Sequence, residues 1–296
     1  MLNNKQFEVL SYLESDNGSS SQRTVAEKTG LSVGSVNKVF NELREAGLVS
    51  DGVITEAGLS ALEPYRVKRA IFIAAGFGSR MVPITLNTPK PLVRVNGKRI
   101  IDTLLDAVVA AGIEEIYIVR GYLGEQFDQL LYKYPTIKFI ENPGYNEANN
   151  ISSVYLARHL IKNAYILEGD LVLYNPDLIR KYQYRTNYLG IPTEKTDDWC
   201  FYAASNGIVK KMAIGGHDCH QMVGISYWDK ADGERLERHV EEVFKSPGGK
   251  ERYWDQVALE YHLKEYKIAV RECKFEDIVE IDTFNELKKI DKTYDI

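Results

Sequence analysis

Residues 71–92, I-F-I-A-A-G-F-G-S-R-M-V-P-I-T-L-N-T-P-K-P-L, constrain this chain more than any other stretch. The apolar run Ile71, Phe72, Ile73, Ala74 has the length and composition of a buried strand. It empties into a loop of small residues, Ala75, Gly76, Gly78 and Ser79, with Phe77 among them. Arg80 follows at once and Lys90 ten residues later. Small residues let backbone N–H groups approach an anion closely, and a concave run of such groups binds phosphate. Arg80 and Lys90 add charge-assisted hydrogen bonds to phosphate oxygens. The stretch therefore predicts a nucleoside triphosphate site at the end of a strand. It is neither a Gly-Lys-Ser/Thr loop opening a helix nor a G-x-G-x-x-G turn. Pro83, Pro89 and Pro91 prevent a regular helix directly after the glycines.

A chain of 296 residues is long enough for two domains, and two segments follow different grammars. Residues 1–65 are helical in pattern. Phe7, Val9, Leu10 and Leu13 share one face of a first helix, ended by a turn at Asp16–Ser20. Ser21 is placed to cap a second helix carrying Val25 and Ala26, which stops at Gly30. Ser32 caps a third, with Val36, Val39, Phe40 and Leu43 as its apolar stripe and Gly47 at its end. Leu48-Val49 and Val53-Ile54 around Asp51-Gly52 read as a small hairpin. Three helices and a wing resemble the winged helix-turn-helix domains of bacterial regulators. That resemblance leaves DNA binding through residues 1–65 open. Ser32, Ser35, Asn37, Lys38 and Asn41 on the third helix are its candidate base-reading residues. The segment holds five Lys/Arg against nine Asp/Glu, which weakens any phosphate-driven affinity. Docking or dimerisation is the competing role, so a homodimer also stays open.

Residues 62–68 read as a linker, and from there to 296 strands and helices alternate. Helices are expected over Ile100–Ala111, Leu123–Tyr132 and Ser152–Leu160, with strands over Ile116–Val119, Ile137–Ile140 and Ala164–Leu167. This order demands parallel strands covered by helices on both faces, with the ligand at their carboxyl ends. Later strands (Leu189–Ile191, Trp199–Ala204, Ile208–Ile214, Gln221–Tyr227) make the sheet mixed. The expected fold is α/β: a Rossmann-like domain with a mixed central sheet, preceded by a small winged helix. No apolar run approaches the ~18 residues of a membrane span. The polar N-terminus is unlike a secretory signal, and Cys200, Cys219 and Cys273 are scattered and odd in number. A cytoplasmic location with reduced thiols fits these features. His217 and His220 flank Cys219, without the spacing of a zinc site.

Ala74, Ala75, Gly76, Gly78, Ser79, Arg80, Pro83, Thr85, Pro89 and Lys90 fill every fixed position of A-A-G-x-G-S/T-R-x-x-P-x-T-x-x-x-P-K. The stretch thus resembles the signature of nucleotidyltransferases that activate sugar phosphates and choline phosphate. Further phrases sharpen the resemblance: G-Y-L-G-E-Q-F (121–127), N-N-I-S-S-V-Y-L-A (149–157), W-C-F-Y (199–202), G-I-S-Y-W-D (224–229) and Y-W-D (253–255). Together they look like bacterial CTP:phosphocholine cytidylyltransferases over residues 69–290.

The resemblance implies transfer of a cytidylyl group from CTP to phosphocholine, giving CDP-choline and pyrophosphate. It implies Mg²⁺ held by Asp170, after the strand in Y-I-L-E-G-D, and by Asp282, in D-I-V-E-I-D-T-F. Either aspartate alone reads as a cap or turn residue, Asp282 as the N-cap of the helix after it. The resemblance assigns the nucleotide to Ala74, Ala75, Gly76, Phe77, Gly78, Ser79 and Arg80, and the base edge also to Gly121 and Tyr122. Asn150, Trp199, Tyr253, Trp254 and Asp255 belong to the acceptor side. Chemistry agrees: trimethylammonium has no hydrogen-bond donors, so π faces and a carboxylate must hold it. Trp228 and Asp229 are in reserve, and Asp255 is open between ammonium and metal. The reaction expected is in-line attack on the α-phosphorus. Arg80 would clamp the β,γ-phosphates, Lys90 neutralise developing charge, and Asp170 hold the metal. Two alternatives remain: a sugar-1-phosphate nucleotidyltransferase, and a transcriptional regulator sensing a nucleotide or choline compound.

Overall fold

Side-chain caps and i,i+3/i+4 apolar spacing build the first 66 residues. In this computed structural model, which describes residues 1–16 and 20–295, α1 (Asn4–Asp16) buries Phe7, Val9, Leu10 and Leu13. The turn expected at Asp16–Ser20 lies partly outside the described residues. α2 (Gln22–Thr29) begins where Ser21 Oγ accepts from the Thr24 N–H at 3.2 Å, and ends on Gly30 at φ 70°. α3 (Val33–Glu45) is capped likewise by Ser32, accepting from the Ser35 N–H at 3.2 Å. Each cap is worth ~1 kcal/mol, because it satisfies a helix-end donor that would otherwise have no partner. β1 (Val49–Ser50) and β2 (Val53–Ile54) form the wing; Asp51 (φ 50°) and Gly52 (φ 83°) both take the positive φ that such a tight hairpin requires. Part of the expected linker is instead ordered. α4 (Glu56–Leu62), capped by Thr55, leads into a 3₁₀ turn over Glu63–Tyr65. Leu62, fully buried, belongs to this unit's core. The chain divides into two compact units, one of Met1–Arg66 with Tyr182–Tyr184, the other of Val67–Lys181 with Arg185 onward.

The second unit is a seven-stranded mixed sheet. β3 (Arg69–Ala74) is followed by a short hairpin, β4 (Arg94–Val95) with β5 (Lys98–Arg99), and by α5 (Ile100–Ala110). Next come β6 (Glu115–Arg120), β7 (Ile137–Glu141), α6 (Ile151–Ala157), β8 (Ala164–Glu168) and β9 (Leu171–Leu173). The long strands β10 (Asn187–Ala203) and β11 (Val209–Trp228), α7 (Lys230–Lys245), α8 (Trp254–Gln256), β12 (Ala269–Glu272), β13 (Ile278–Glu280) and α9 (Phe284–Ile290) complete it. The sheet order is β12-β10-β11-β8-β3-β6-β7. β3 runs parallel to β6 and β8, and β6 parallel to β7, whereas β11 is antiparallel to β8 and β10.

Alternation along β3 explains the covering layers, since successive side chains point to opposite faces. Ala70, Phe72 and Ala74 join the cluster holding Ile101, Leu104 and Leu105 of α5. Ile71 joins the other, with Val154 of α6 and Leu236 and Val240 of α7. One expected element differs. Residues 124–132 form 3₁₀ turns rather than an α-helix, entered through Leu123 at φ 46°. Phe127 and Leu130, three apart, are both fully buried, which suits a three-residue turn. Among the described residues no helix is long and apolar enough to cross a membrane.

Candidate active site

The loop after β3 is shaped by close approaches. Gly78 has φ 68°, and a Cβ there would lie 3.0 Å from the Cβ of Lys90 and 3.3 Å from Cγ2 of Thr85. Thr85, fully buried, donates its hydroxyl to the Gly78 carbonyl at 2.9 Å and so pins the loop. Gly76 differs: a Cβ there would meet nothing within 4 Å, because its outer side opens into a cavity of about 670 Å³. Gly169 lets the end of β8 lie against the loop, with Pro91 Cγ 3.0 Å and Ala74 Cβ 3.3 Å from where its Cβ would be.

Beyond Gly169 the chain bends, and β9 pairs antiparallel with β13, Leu171 opposite Glu280. This pairing carries Glu280 and Asp282 to Asp170. Lys90, almost fully buried, donates to Asp170 Oδ2 at 2.7 Å and to Asp282 Oδ1 at 3.0 Å, while Arg80 reaches Asp282 Oδ1 at 2.7 Å. Burial pulls the Lys90 ammonium down, but Asp170 and Asp282 outweigh it and the net shift is upward. Burial pushes Asp282 up, yet Lys90 and Arg80 hold its carboxyl below the usual range. At Glu280 Lys90 offsets less; burial, then Asp170 and Asp282, push it up to about 9. Glu168 is raised by burial, then by Asp255, Asp170 and Glu280. Carboxylate oxygens of Glu168, Asp170 and Glu280 lie within 4.8 Å of one another, and Asp170 Oδ1 is buried without a hydrogen-bond partner. An all-oxygen donor set with an orphaned lone pair suits a hard divalent cation. Asp282 is not the cap of α9: Thr283 takes that place, accepting from the Glu286 N–H at 3.2 Å.

Asp255, Trp199, Tyr253, Met222 and Gly224 line the same cavity. Asp255 is buried and accepts from the Tyr188 hydroxyl at 2.7 Å. Burial raises it to about 6, although the Tyr188 hydrogen bond acts the other way. Trp199 and Tyr253 meet edge to face, centroids 5.8 Å apart.

Ala74, Ala75, Gly76, Gly78, Arg80, Lys90, Asn150, Asp170, Trp199, Tyr253, Asp255 and Asp282 all line this one cavity. Others do not, and Trp254 is a correction. It is 2% exposed and packs in the core, stacked on Tyr188 and edge-on to Trp228. Its backbone N–H, donating 2.9 Å to Asn150 Oδ1, secures the turn that presents Asp255. Trp228 is equally buried, and Asp229 caps α7, accepting from the Asp232 N–H. Gly121 and Tyr122 stand off the cavity too. A Cβ on Gly121 would strike the Tyr145 ring at 2.8 Å, and it is Tyr145 that lines the cavity. Tyr122 packs edge-on against Phe77 at 4.5 Å and donates to the Leu86 carbonyl, so neither ring lines the cavity, nor does Ser79. Glu168, Glu280, Met222 and Gly224 are cavity residues that sequence reasoning missed. The E-x-D spacing of Glu168 with Asp170 and Glu280 with Asp282 was the available signal. No metal cluster among the described residues involves Cys219; His220 instead pairs with Glu272 at 3.0 Å.

A strand-end phosphate loop, a buried lysine between two aspartates and a mixed sheet behind them define an α/β nucleotidyltransferase fold. Comparison with known proteins agrees. The chain belongs to the MobA-like NTP transferase domain family, which it matches over residues 70–242, and residues 2–50 match a winged helix-turn-helix DNA-binding family. It is 38% identical over 228 residues to a 2-aminoethylphosphonate cytidylyltransferase of Lancefieldella rimae, covering 76% of this chain and 92% of that one. A choline-phosphate cytidylyltransferase of Streptococcus pneumoniae is 31% identical over 225 residues, 76% and 97% of the two chains. The solved CTP:phosphocholine cytidylyltransferase of Streptococcus pneumoniae superposes with a TM-score of 0.71 at 31% identity, covering 77% of this chain and 99% of that chain.

Proposed function

We propose that this chain transfers a cytidylyl group from CTP to a small acceptor with a phosphate or phosphonate at one end and a cationic amine at the other, releasing pyrophosphate. The carrying observation is Lys90 held between Asp170 and Asp282 beside the glycine loop, in a cavity that also contains Asp255 and three aromatic side chains, Tyr145, Trp199 and Tyr253. Relatives acting on choline phosphate and on 2-aminoethylphosphonate both fit that acceptor description. Phosphocholine, expected from the aromatic residues, is one such acceptor. A hexose phosphate has no cation for Asp255.

Asp170 and Asp282, with Glu168 and Glu280 beside Asp170, would hold Mg²⁺, which when bound supplies charge to the phosphates. The chain's own residues do the rest. The open side of Gly76 admits the triphosphate against backbone N–H groups. Arg80, two-thirds exposed, is free to swing from Asp282 onto terminal phosphate oxygens. Lys90 stays protonated and neutralises charge as the acceptor oxygen attacks the α-phosphorus. A phosphate acceptor already carries about 1.5 to 2 negative charges near neutral pH, so no general base is required.

Pyrophosphate release measured over CTP, UTP, dTTP, ATP and GTP against phosphocholine, phosphoethanolamine, 2-aminoethylphosphonate and glucose 1-phosphate tests the proposal. CTP with an amine-headed acceptor should dominate. Faster turnover of glucose 1-phosphate, or of a purine nucleotide, would overturn it.

A further inference from the structure

Outside the cavity, α7 and the turns after α8 bring together His239, His262 and Glu265, whose ligating atoms lie within 4.8 Å of one another. His262 and Glu265 stand three apart, and the 3₁₀ turn over Leu263–Glu265 sets them on one side, because residues i and i+3 eclipse there. The Glu265 N–H closes that turn by donating to the His262 carbonyl at 2.9 Å. His239 comes from the buried face of α7, with Leu236, Val240 and Val243. Glu265 Oε1 lies 3.1 Å from His262 Nδ1, and Oε2 lies 3.5 Å from His239 Nε2. The other ring nitrogen of His239, Nδ1, meets the hydroxyl of the buried Tyr266 at 2.8 Å.

The geometry points to a further metal site here, in which Zn²⁺ is held by His239 Nε2, His262 Nδ1 and a carboxylate oxygen of Glu265, with water completing the shell. Two imidazoles and a carboxylate suit zinc, whereas Mg²⁺ prefers oxygen ligands alone. Zinc bonds of about 2.0–2.1 Å in a tetrahedron set ligand atoms about 3.4 Å apart, close to the spacings already present. His239 Nε2 can ligate only with the ring proton on Nδ1, and the Tyr266 oxygen is placed to accept its hydrogen bond. Ligating histidines are commonly oriented by such a partner. The two rings lie within 11° of parallel, so their lone pairs run side by side. Binding therefore tilts the His262 ring, partly exposed on its turn, while Tyr266 holds His239 in place. Glu265, about half exposed, leaves the ion a path from solvent. The segment so stapled to α7 begins at α8, which gives Asp255 and Gln256 to the cavity wall. The ion would brace that wall without touching substrate.

The test uses the intact chain, stripped with a chelator and dialysed against Zn²⁺, with excess Mg²⁺ present to occupy the carboxylates beside the glycine loop. Metal analysis should find a single equivalent of Zn²⁺ retained per chain. E265A and H262A should each lose that equivalent with unchanged far-ultraviolet circular dichroism. Glu265 lies at the surface, so E265A keeps the question answerable if H262A does not fold. Y266F preserves the ring and should weaken Zn²⁺ binding about tenfold or more, as loss of a partner behind a ligating histidine does. Zn²⁺ should raise the melting temperature of the wild-type protein and leave that of E265A unmoved. Zn²⁺ retained equally by wild type, E265A and H262A would place the ion elsewhere, beside Cys219 or among the cavity carboxylates, and would overturn the inference. Failure of the wild type to retain Zn²⁺ would overturn it too, leaving a hydrogen-bonded cluster alone. Metal content and melting temperature are the readouts, so neither outcome depends on turnover of CTP.

Discussion

At the scale of single residues, Lys90 and its two aspartates decide the most. The cations that should meet phosphate pair with the carboxylates that should meet metal. Metal and triphosphate would exchange those partners together, each neutralising what the other leaves. Lys90→Ala should therefore lower kcat by about 10²–10³-fold, as loss of one charge-stabilising group does, with little effect on the far-ultraviolet circular dichroism. Near-normal single-turnover pyrophosphate release would refute the role. Mg²⁺ alone should raise the melting temperature of the wild-type protein, because it relieves repulsion among Asp170, Glu280 and Asp282. Asp170→Asn should abolish that rise, a readout independent of turnover. The loop was legible in the sequence because local sterics fix its spacing: Gly78 and Thr85 touch each other directly. Glu280 was not, since only the pairing of β9 with β13 brings it to Asp170. Trp254 misled because an aromatic residue beside a site residue is as able to pack inward as outward.

At the scale of elements, capped helices and alternating strands were readable, while the junction of α7 with the turns after α8 was not. His239 on α7 stacks on His262, ring centroids 3.7 Å apart and 11° from parallel. Glu265 pairs with both rings, at 3.5 Å and 3.1 Å, and the Tyr266 hydroxyl meets His239 Nδ1 at 2.8 Å. Nothing in the spacing of two histidines 23 residues apart announces a stack; His262 directly follows the π-type turn over Val257–Tyr261. Burial, then the neighbouring His262, lowers the His239 pKa; Glu265 and Glu242 act oppositely, and Arg238 adds to the depression. The sign follows. Just below pH 6.5 the unfolded chain binds a proton at His239 that the folded chain resists, so stability contributed here is complete above that pH and is lost as pH falls. The melting temperature should drop between pH 7 and pH 5.5. His262→Asn removes one of the depressing charges and should make the slope shallower. An unchanged slope would show that His262 does not hold down the His239 pKa.

At the scale of the whole molecule, charge is divided unevenly. Of the formal net charge of −5, residues 1–65 carry −4, from Lys5, Arg23, Lys28, Lys38 and Arg44 against nine acidic residues. The winged helix is well formed, and Ser32, Asn37, Lys38 and Asn41 are exposed around α3, yet Lys38 already leans toward Glu42 at 4.0 Å. Shape was legible from helix caps and turn residues; partner was not, because the same shape serves DNA or protein. Electrostatics narrows the choice. Each neutralised phosphate contributes a slope of about −0.9 in log K against log salt. Five basic residues therefore limit this unit to about −4.5 per protomer, before repulsion from its carboxylates. The intact chain should leave random-sequence duplex DNA unshifted at about 0.15 M salt, where neutralisation of phosphates supplies nearly all non-specific affinity. Any retained operator would have to be read through base edges, with a slope shallower than that limit. A mobility-shift titration over salt concentration measures both quantities. Strong binding to random duplex, or a steeper slope, would mean that basic residues beyond position 65 engage the nucleic acid, and would overturn the assignment of this acidic unit as a weak phosphate binder.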